Sequence, residues 1–238
     1  MINKTTSVMA ITLAMSVASV SHAQGMYGSI MAGASDQAND SEPYGNNVAL
    51  DADFPQKFDG GDGKVGALGL GYAFNNKLRI EARIGGHRSK FNDRKIGTGE
   101  RAGEEYILNG DVKSTTLTVE GFYDIPTGSA FSPYLKAGIG ASRNTYSARL
   151  GGAGVAAFDE FDGVVDGFYD AYADQTSTEF SWNVGVGASY KLSNSVNLFG
   201  EYQYASFGNA DTGQDSFTDG FKIDSEAHEV MIGIRVGF

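Results

Sequence analysis

The chain has 238 residues, a formal net charge of −11 and no cysteine. The absence of cysteine excludes disulfide bonds and thiolate metal sites. The excess of acidic residues argues against nucleic acid as a partner, because binding to phosphates needs an excess of lysine and arginine.

The N-terminal residues have the pattern of a secretory signal peptide. Lys4 supplies a positive charge, residues 8–20 are mostly apolar, and Ser21-His22-Ala23 has the small residues of a cleavage site. The apolar run is shorter than the ~20 residues that a membrane-spanning helix needs. We therefore predict a cleaved signal peptide, residues 1–23, followed by a single domain, residues 24–238.

From Gly25 onward, apolar and polar residues alternate with the period of two that is typical of β-strands. Between Lys77 and His87 the alternation places every charged side chain on one face and the apolar side chains on the other. We predict eight strands, over residues 25–36, 64–74, 77–91, 114–125, 132–147, 178–192, 196–209 and 223–238.

The connections between these strands alternate in length along the chain. Residues 75–76, 126–130 and 193–195 are short turns, whereas the connections after the first, third, fifth and seventh strands are long and polar. Bacterial outer-membrane barrels combine short periplasmic turns with long extracellular loops. The pattern predicts an up-and-down order of antiparallel strands with both termini in the periplasm.

The polarity of the two strand faces distinguishes a membrane barrel from a soluble sandwich or lipocalin-like barrel. A soluble barrel turns its apolar face inward. Here the face opposite the apolar one carries arginine, glutamate and lysine, which indicates a polar interior and a lipid exterior. We therefore predict an all-β, eight-stranded transmembrane β-barrel in contact with outer-membrane lipid and lipopolysaccharide. The first strand, from Met26 to Ala34, does not indicate which of its faces meets lipid.

Aromatic residues lie near the ends of the apolar stripes, as in the interfacial girdles of membrane proteins. The predicted girdle residues are Tyr72, Phe74, Tyr123, Tyr134, Phe180, Trp182, Tyr190, Tyr202, Tyr204 and Phe238.

The last strand has an apolar face that ends at the aromatic residue Phe238, with Ile234 and Val236 before it. This resembles the C-terminal signal by which the barrel-assembly machinery recognises outer-membrane proteins. Together with Gly-x-Gly strands such as Gly69-Leu-Gly71, the chain resembles the OmpA-like and Opa-like superfamily of eight-stranded surface proteins, often labelled "porin family". The resemblance implies this architecture and a role as adhesin, surface antigen, structural protein or small pore.

Charged residues at inward positions of the predicted strands balance in sign. Eight strands enclose a lumen that side chains can fill, and unpaired charges there are costly. We predict an ion-pair network that fills the lumen beside inward glycines, with a gated narrow channel as the alternative. The predicted network comprises Arg79, Glu81, Arg83, Glu120, Lys136, Glu201, Glu229 and Arg235.

An enzyme of the outer membrane is the competing class. His87 and Ser89 resemble the His-x-Ser pair of lipid A deacylases of the PagL type, and Glu100 follows the serine. The strand parity turns the pair toward the lumen, whereas a deacylase needs these side chains at the lipid phase. Residues 61–66 match G-x-G-x-x-G, but no βαβ unit surrounds them. We therefore predict no catalytic, cofactor or metal site.

Two long loops, residues 36–62 and 156–175, are rich in aspartate and glutamate. These carboxylates could gather Ca²⁺ or Mg²⁺ beside lipopolysaccharide phosphates, or form a solvated surface. Apolar residues between Val164 and Tyr172 recur at the spacing of a short amphipathic helix. We predict a surface protein, structural or adhesin-like, whose loops meet an extracellular ligand or host surface. The alternatives are a small-solute pore and a lipid A-modifying enzyme.

Overall fold

The computed structural model describes residues 25–45, 51–153, 155, 167–169, 174–213 and 220–238. Within them the strands form one antiparallel sheet that closes on itself, because the last strand pairs with the first. The strands are β1 (Gly25–Gln37), β2 (Glu42–Tyr44), β3 (Asp62–Ala73), β4 (Leu78–Ile96), β5 (Glu105–Asp124), β6 (Phe131–Gly151), β7 (Phe168–Tyr169), β8 (Gln175–Lys191), β9 (Val196–Asp211) and β10 (Gly220–Gly237).

Eight of these strands are long, and each pairs with the next long strand along the chain. The predicted eight-stranded antiparallel up-and-down barrel is thus confirmed. The predicted short turns lie together at one end of the barrel, and β2 and β7 lie at the other end. At the first turn the Asn75 side chain accepts hydrogen bonds from the backbone N–H groups of Lys77 and Leu78. The predicted signal peptide lies outside the described residues.

We call the part of the barrel nearer to the short turns its lower part. The outer face is apolar there, as predicted. Ile84, Leu117 and Ile139, for example, expose 54%, 64% and 62% of their surface. In β1 the residues of even number face outward, which settles the parity that the sequence left open. The girdle assignment of Tyr134 was wrong, because Tyr134 has the same parity as Lys136 and is buried in the lumen.

Strands β4 and β5 continue far beyond their predicted ends. The sequence indicated a loop over residues 92–113, but Asn92–Ile96 pairs with residues 105–109 and leaves only residues 97–104 as the connection. The polarity of β5 inverts along its length: Leu117 faces outward in the lower part, whereas Leu108 and Val112 are buried inside the upper part. Above the membrane water surrounds the barrel, so apolar side chains gain by facing inward.

The predicted amphipathic helix near residue 168 is also corrected. Phe168 and Tyr169 form β7 and pair with Gly151 and Leu150 at the end of β6. The rest of the predicted helix lies outside the described residues. In the described part of the chain, no helix is long and apolar enough to cross a membrane.

The strand order predicts which connections an external reagent reaches. Ala102 and Asn76 are both exposed and lie in connections at opposite ends of the barrel. We expect Ala102→Cys to react with a membrane-impermeant maleimide on intact cells, and Asn76→Cys to react only after the outer membrane is opened. Since the protein has no cysteine of its own, the unmodified protein serves as the blank. The reverse labelling pattern would contradict the orientation.

Candidate functional site

A layer of buried charges crosses the middle of the lumen, and Arg83 lies at its centre. The Arg83 guanidinium lies 2.9 Å from Glu81, 3.1 Å from Glu120 and 2.7 Å from Glu201. Lys136 lies 2.9 Å from Glu120 and 3.0 Å from Glu201. Two cations and three carboxylates on four strands are therefore joined by short charge-assisted contacts. We call these five residues the ionic layer.

Aromatic and amide side chains support the ionic layer. The Tyr134 hydroxyl donates to the second oxygen of Glu201 at 2.9 Å, and Asn183 donates to Glu120 at 3.2 Å. The rings of Phe122 and Tyr134 pack against each other with centroids 5.8 Å apart. The two hydrogen bonds satisfy carboxylate oxygens that would otherwise be costly to bury.

Small inward residues leave space for the long charged side chains. A Cβ atom added to Gly69 would lie 2.2 Å from Glu81 Oε1, and one added to Gly187 would lie 2.3 Å from the Tyr134 ring. The glycines opposite these side chains therefore accommodate the layer, as the sequence predicted.

A second ion pair lies below this layer, toward the short turns. Arg79 binds Asp124 through two hydrogen bonds, of 2.6 and 3.0 Å. Together with Arg235, this pair lines an open cavity of about 730 Å³ at the end of the barrel that holds the short turns. Among the described residues Arg235 forms no ion pair, and its guanidinium lies 5.5 Å from the centroid of the Tyr27 ring. Of these two predicted network residues, Arg79 is therefore ion-paired, outside the ionic layer, and Arg235 is not.

Above the ionic layer, His87 and Glu229 form a buried pair at 3.0 Å. Gln203 connects this pair to the ionic layer, because it accepts a hydrogen bond from Lys136 and donates one to Glu229. The cavity at this level has a volume of only about 30 Å³.

An apolar cluster, which we call the apolar plug, lies in the upper part of the lumen. Phe54 and Phe58, from the connection between β2 and β3, pack onto side chains from five strands. Phe58 is fully buried and lies 5.9 Å from the Phe221 ring, and Phe54 lies 4.7 Å from the Tyr106 ring. The remaining members are Phe91, Leu108, Val112, Tyr146, Leu150, Ala210 and Ile223.

A charged clamp holds the connection that carries Phe54. Arg101 donates to Asp51 at 2.6 Å and also contacts Glu104 at 3.3 Å. The hydrogen bond from Arg101 lowers the pKa of Asp51, and the one from the Tyr106 hydroxyl lowers the pKa of Glu104. Both carboxylates are therefore ionised and paired at neutral pH.

Seven of the charged residues that the sequence analysis predicted in the lumen are buried there. Two of their ion-pair partners, Asp124 and His87, were not identified in the sequence analysis. Asp124 lies on the predicted polar face of its strand, and its place beside a turn concealed its role. His87 appeared as an enzyme candidate, whereas the structure places it as the partner of Glu229. The three C-terminal signal residues Ile234, Val236 and Phe238 lie on the outer face of β10 and just beyond it.

The enzyme candidates do not form a catalytic group. His87 contacts Glu229, while the Ser89 hydroxyl donates to the carbonyl of Gly61 at 3.2 Å. Both side chains are buried in the lumen, and Glu100 lies in a single turn of 3-10 helix, Gly99–Arg101. Within the described ranges, no group of three or more histidine, aspartate or glutamate side chains is placed to hold a metal ion.

Comparison with known proteins agrees with this architecture. The outer membrane protein PagN of Salmonella typhimurium is 22% identical over an alignment of 193 residues, which covers 73% of this chain and 72% of PagN. Neisserial surface protein A has a similar structure, with a TM-score of 0.52 and 18% identity over 90% of this chain and 97% of that one. OprG of Pseudomonas aeruginosa gives a TM-score of 0.52 and 18% identity over 92% of this chain and 99% of OprG.

The two structural similarities concern the fold. The family model for the outer membrane protein beta-barrel domain matches residues 6–234, nearly the whole chain. The closed sheet, the apolar outer face and this match place the protein in the bacterial outer membrane. The chain therefore belongs to the outer membrane protein beta-barrel domain family.

Proposed function

We propose that this barrel is a non-conducting, non-enzymatic surface protein that presents a fixed extracellular structure to an outside ligand or host surface, as an adhesin does. The observation that carries the proposal is the inversion of polarity along the strands. Above the membrane the barrel has an apolar core and a polar outer face, as a soluble domain has. Such a core stabilises a protruding structure, because it removes apolar surface from water.

The contents of the lumen argue against the pore alternative. A solute would have to pass the apolar plug, then the pair of His87 and Glu229, and then the ionic layer. The cavity that lies between the ionic layer and the pair of His87 and Glu229 has a volume of only about 30 Å³, which leaves little room for a solute. We therefore propose that the lumen is plugged by its own side chains.

The deacylase alternative lacks an assembled site. A nucleophilic serine needs a base within hydrogen-bond reach and an approach for its substrate. Ser89 instead donates to a backbone carbonyl and is buried away from lipid. This geometry supports a structural role for both His87 and Ser89.

Two measurements test the proposal. In planar bilayers the refolded protein should give no steady current, and a stable porin-like conductance would overturn the closed lumen. A laboratory strain that displays the protein should be retained on a cultured epithelial monolayer several-fold better than the strain with an empty vector. Equal retention of the two strains would overturn the adhesin-like role, and the conductance result would stand separately.

A further inference from the structure

Three basic side chains lie in one row across the outer face of β3, β4 and β5. Lys64 is directly opposite Arg88, and Arg88 is directly opposite Lys113. All three are exposed and share the outward parity of their strands. Like charges directly opposite each other on neighbouring strands destabilise a sheet. An anion that binds to the outside of the barrel would remove this repulsion.

Two further cations enlarge the row into a patch. Arg143 on β6 lies two residues below the row, opposite Thr115, and Lys90 lies two residues above it, opposite Asp111. We call Lys64, Arg88, Lys90, Lys113 and Arg143 the basic patch.

The carboxylates beside the patch leave it with a clear positive excess. Asp111 lies between two of the cations, 2.9 Å from Arg88 and 3.2 Å from Lys113. Asp62 lies opposite Lys90. Asp36 of β1 lies opposite Asp62 on its other side. Five basic residues therefore face three acidic ones, on a chain whose net charge is −11. Within the described residues, Lys64 and Arg143 form no ion pair, so their charges are available to a ligand.

The height of the patch follows from its distance along the strands. Arg88 is ten residues from Leu78, the first residue of β4 at the short-turn end of the barrel. Ten strand residues span ~33 Å, and the usual strand tilt reduces this to ~25 Å along the membrane normal, the height of the apolar band of such barrels. The row therefore lies at the extracellular boundary of the membrane.

An unbroken apolar surface lies directly below the patch. Leu68, Ile84, Leu117, Ala141 and Phe180 are directly opposite one another on consecutive strands, from β3 to β8. The neighbouring wall of β1 and β10 differs at its upper end, because Asp36, Asp224 and Glu226 lie there. A ligand with phosphates above and several acyl chains below matches the wall of β3 to β6 and not the wall of β1 and β10.

We propose that this wall is a lateral binding site for the phosphorylated lipid A part of lipopolysaccharide, which forms the outer leaflet of Gram-negative outer membranes. The five cations contact its phosphates, and the apolar row contacts its acyl chains. Arginine binds phosphate through two parallel hydrogen bonds, and lysine as a point charge. The site is independent of the adhesin-like role, because it faces the membrane and not the loops.

The test compares two double variants that remove the same charge from opposite ends of the barrel. Lys64→Gln with Arg143→Gln removes two cations of the patch that form no ion pair among the described residues. Lys77→Gln with Lys191→Gln removes two exposed lysines at the end with the short turns. The affinity for bis-phosphorylated lipid A is measured in phospholipid nanodiscs. Each basic residue near an anionic lipid surface contributes roughly 1 kcal/mol, so the patch variant should bind about tenfold or more weakly, and the control variant within about twofold of the unmodified protein.

The unmodified protein should also bind lipid A whose phosphates have been removed much more weakly, and inorganic phosphate at the same concentration should not compete. Because the substituted side chains are exposed, both variants should keep the folded form, which resists unfolding in detergent. Equal affinity in patch variant and control, or equal binding of lipid A with and without phosphates, would overturn the proposal.

Discussion

Arg83→Ala is expected to lower the free energy of unfolding by about 3 to 5 kcal/mol, the usual cost of leaving buried charges without their partner. Arg83 contacts three buried carboxylates. Lys136 still pairs with Glu120 and Glu201 in the variant. Among the described residues Glu81 has no other ion-pair partner, so its buried charge would be left uncompensated.

Two further variants make this result specific. Arg94→Ala on the same strand removes an exposed pair with Glu105 at 2.9 Å, and exposed pairs contribute at most about 1 kcal/mol. Arg83→Lys keeps the charge but loses the planar fork, so we expect an intermediate loss and a folded protein. Urea unfolding in lipid vesicles can be followed by the fluorescence of Trp182, the single tryptophan. Equal losses in Arg83→Ala and Arg94→Ala would contradict the role of the ionic layer.

The part of the fold inside the membrane could be predicted from the sequence, because most apolar side chains face outward and most polar side chains face inward there. Lipid outside and polar groups inside give a strict alternation, as in Arg79 to Ile84, and each charge predicted from it in β4 faces the lumen. The positions of long side chains on opposite walls follow from parity alone. Their pairing does not, because Arg83 and Glu201 are 118 residues apart in sequence and meet only across the closed barrel.

The upper part of the barrel was not predicted, because its apolar side chains face inward and not outward. In β5, Leu117 faces lipid while Leu108 faces the lumen, so a single alternating pattern cannot describe the whole strand. Asn92 and Arg94 carry polar side chains on an outer face that meets water, so this segment resembles a loop in the sequence. A search for the point at which the alternating pattern shifts by one residue, from apolar outside to apolar inside, would have found that β4 and β5 extend beyond their predicted ends. The same change locates the boundary of the membrane near Arg88 and Lys113.

Removing one ring from the apolar plug is expected to cause the second large loss of stability, because the plug depends on a fully buried ring from a connecting segment. Phe58 lies in the connection between β2 and β3, and its backbone exchanges two hydrogen bonds with Ser41, of 2.7 and 2.9 Å. Removing a buried phenylalanine ring costs about 3 to 5 kcal/mol. The strands below keep their own hydrogen bonds and the ionic layer. The loss of stability should therefore be confined mainly to this connection.

We therefore expect Phe58→Ala to open the segment around residues 51–58 locally while the membrane barrel stays folded. Amide hydrogen exchange reports such local opening residue by residue. A loss of about 3 kcal/mol corresponds to roughly a hundredfold faster exchange at the amides of Ser41 and Phe58, whereas amides beside Arg83 should keep their rates. Phe180→Ala, which removes a ring that is 64% exposed to lipid, is the matched control and should change neither region. Phe58→Leu should restore most of the protection, because it refills the plug. Unchanged exchange at Ser41 and Phe58, or an equal rise along all strands, would mean that the plug does not hold the extracellular connection in place.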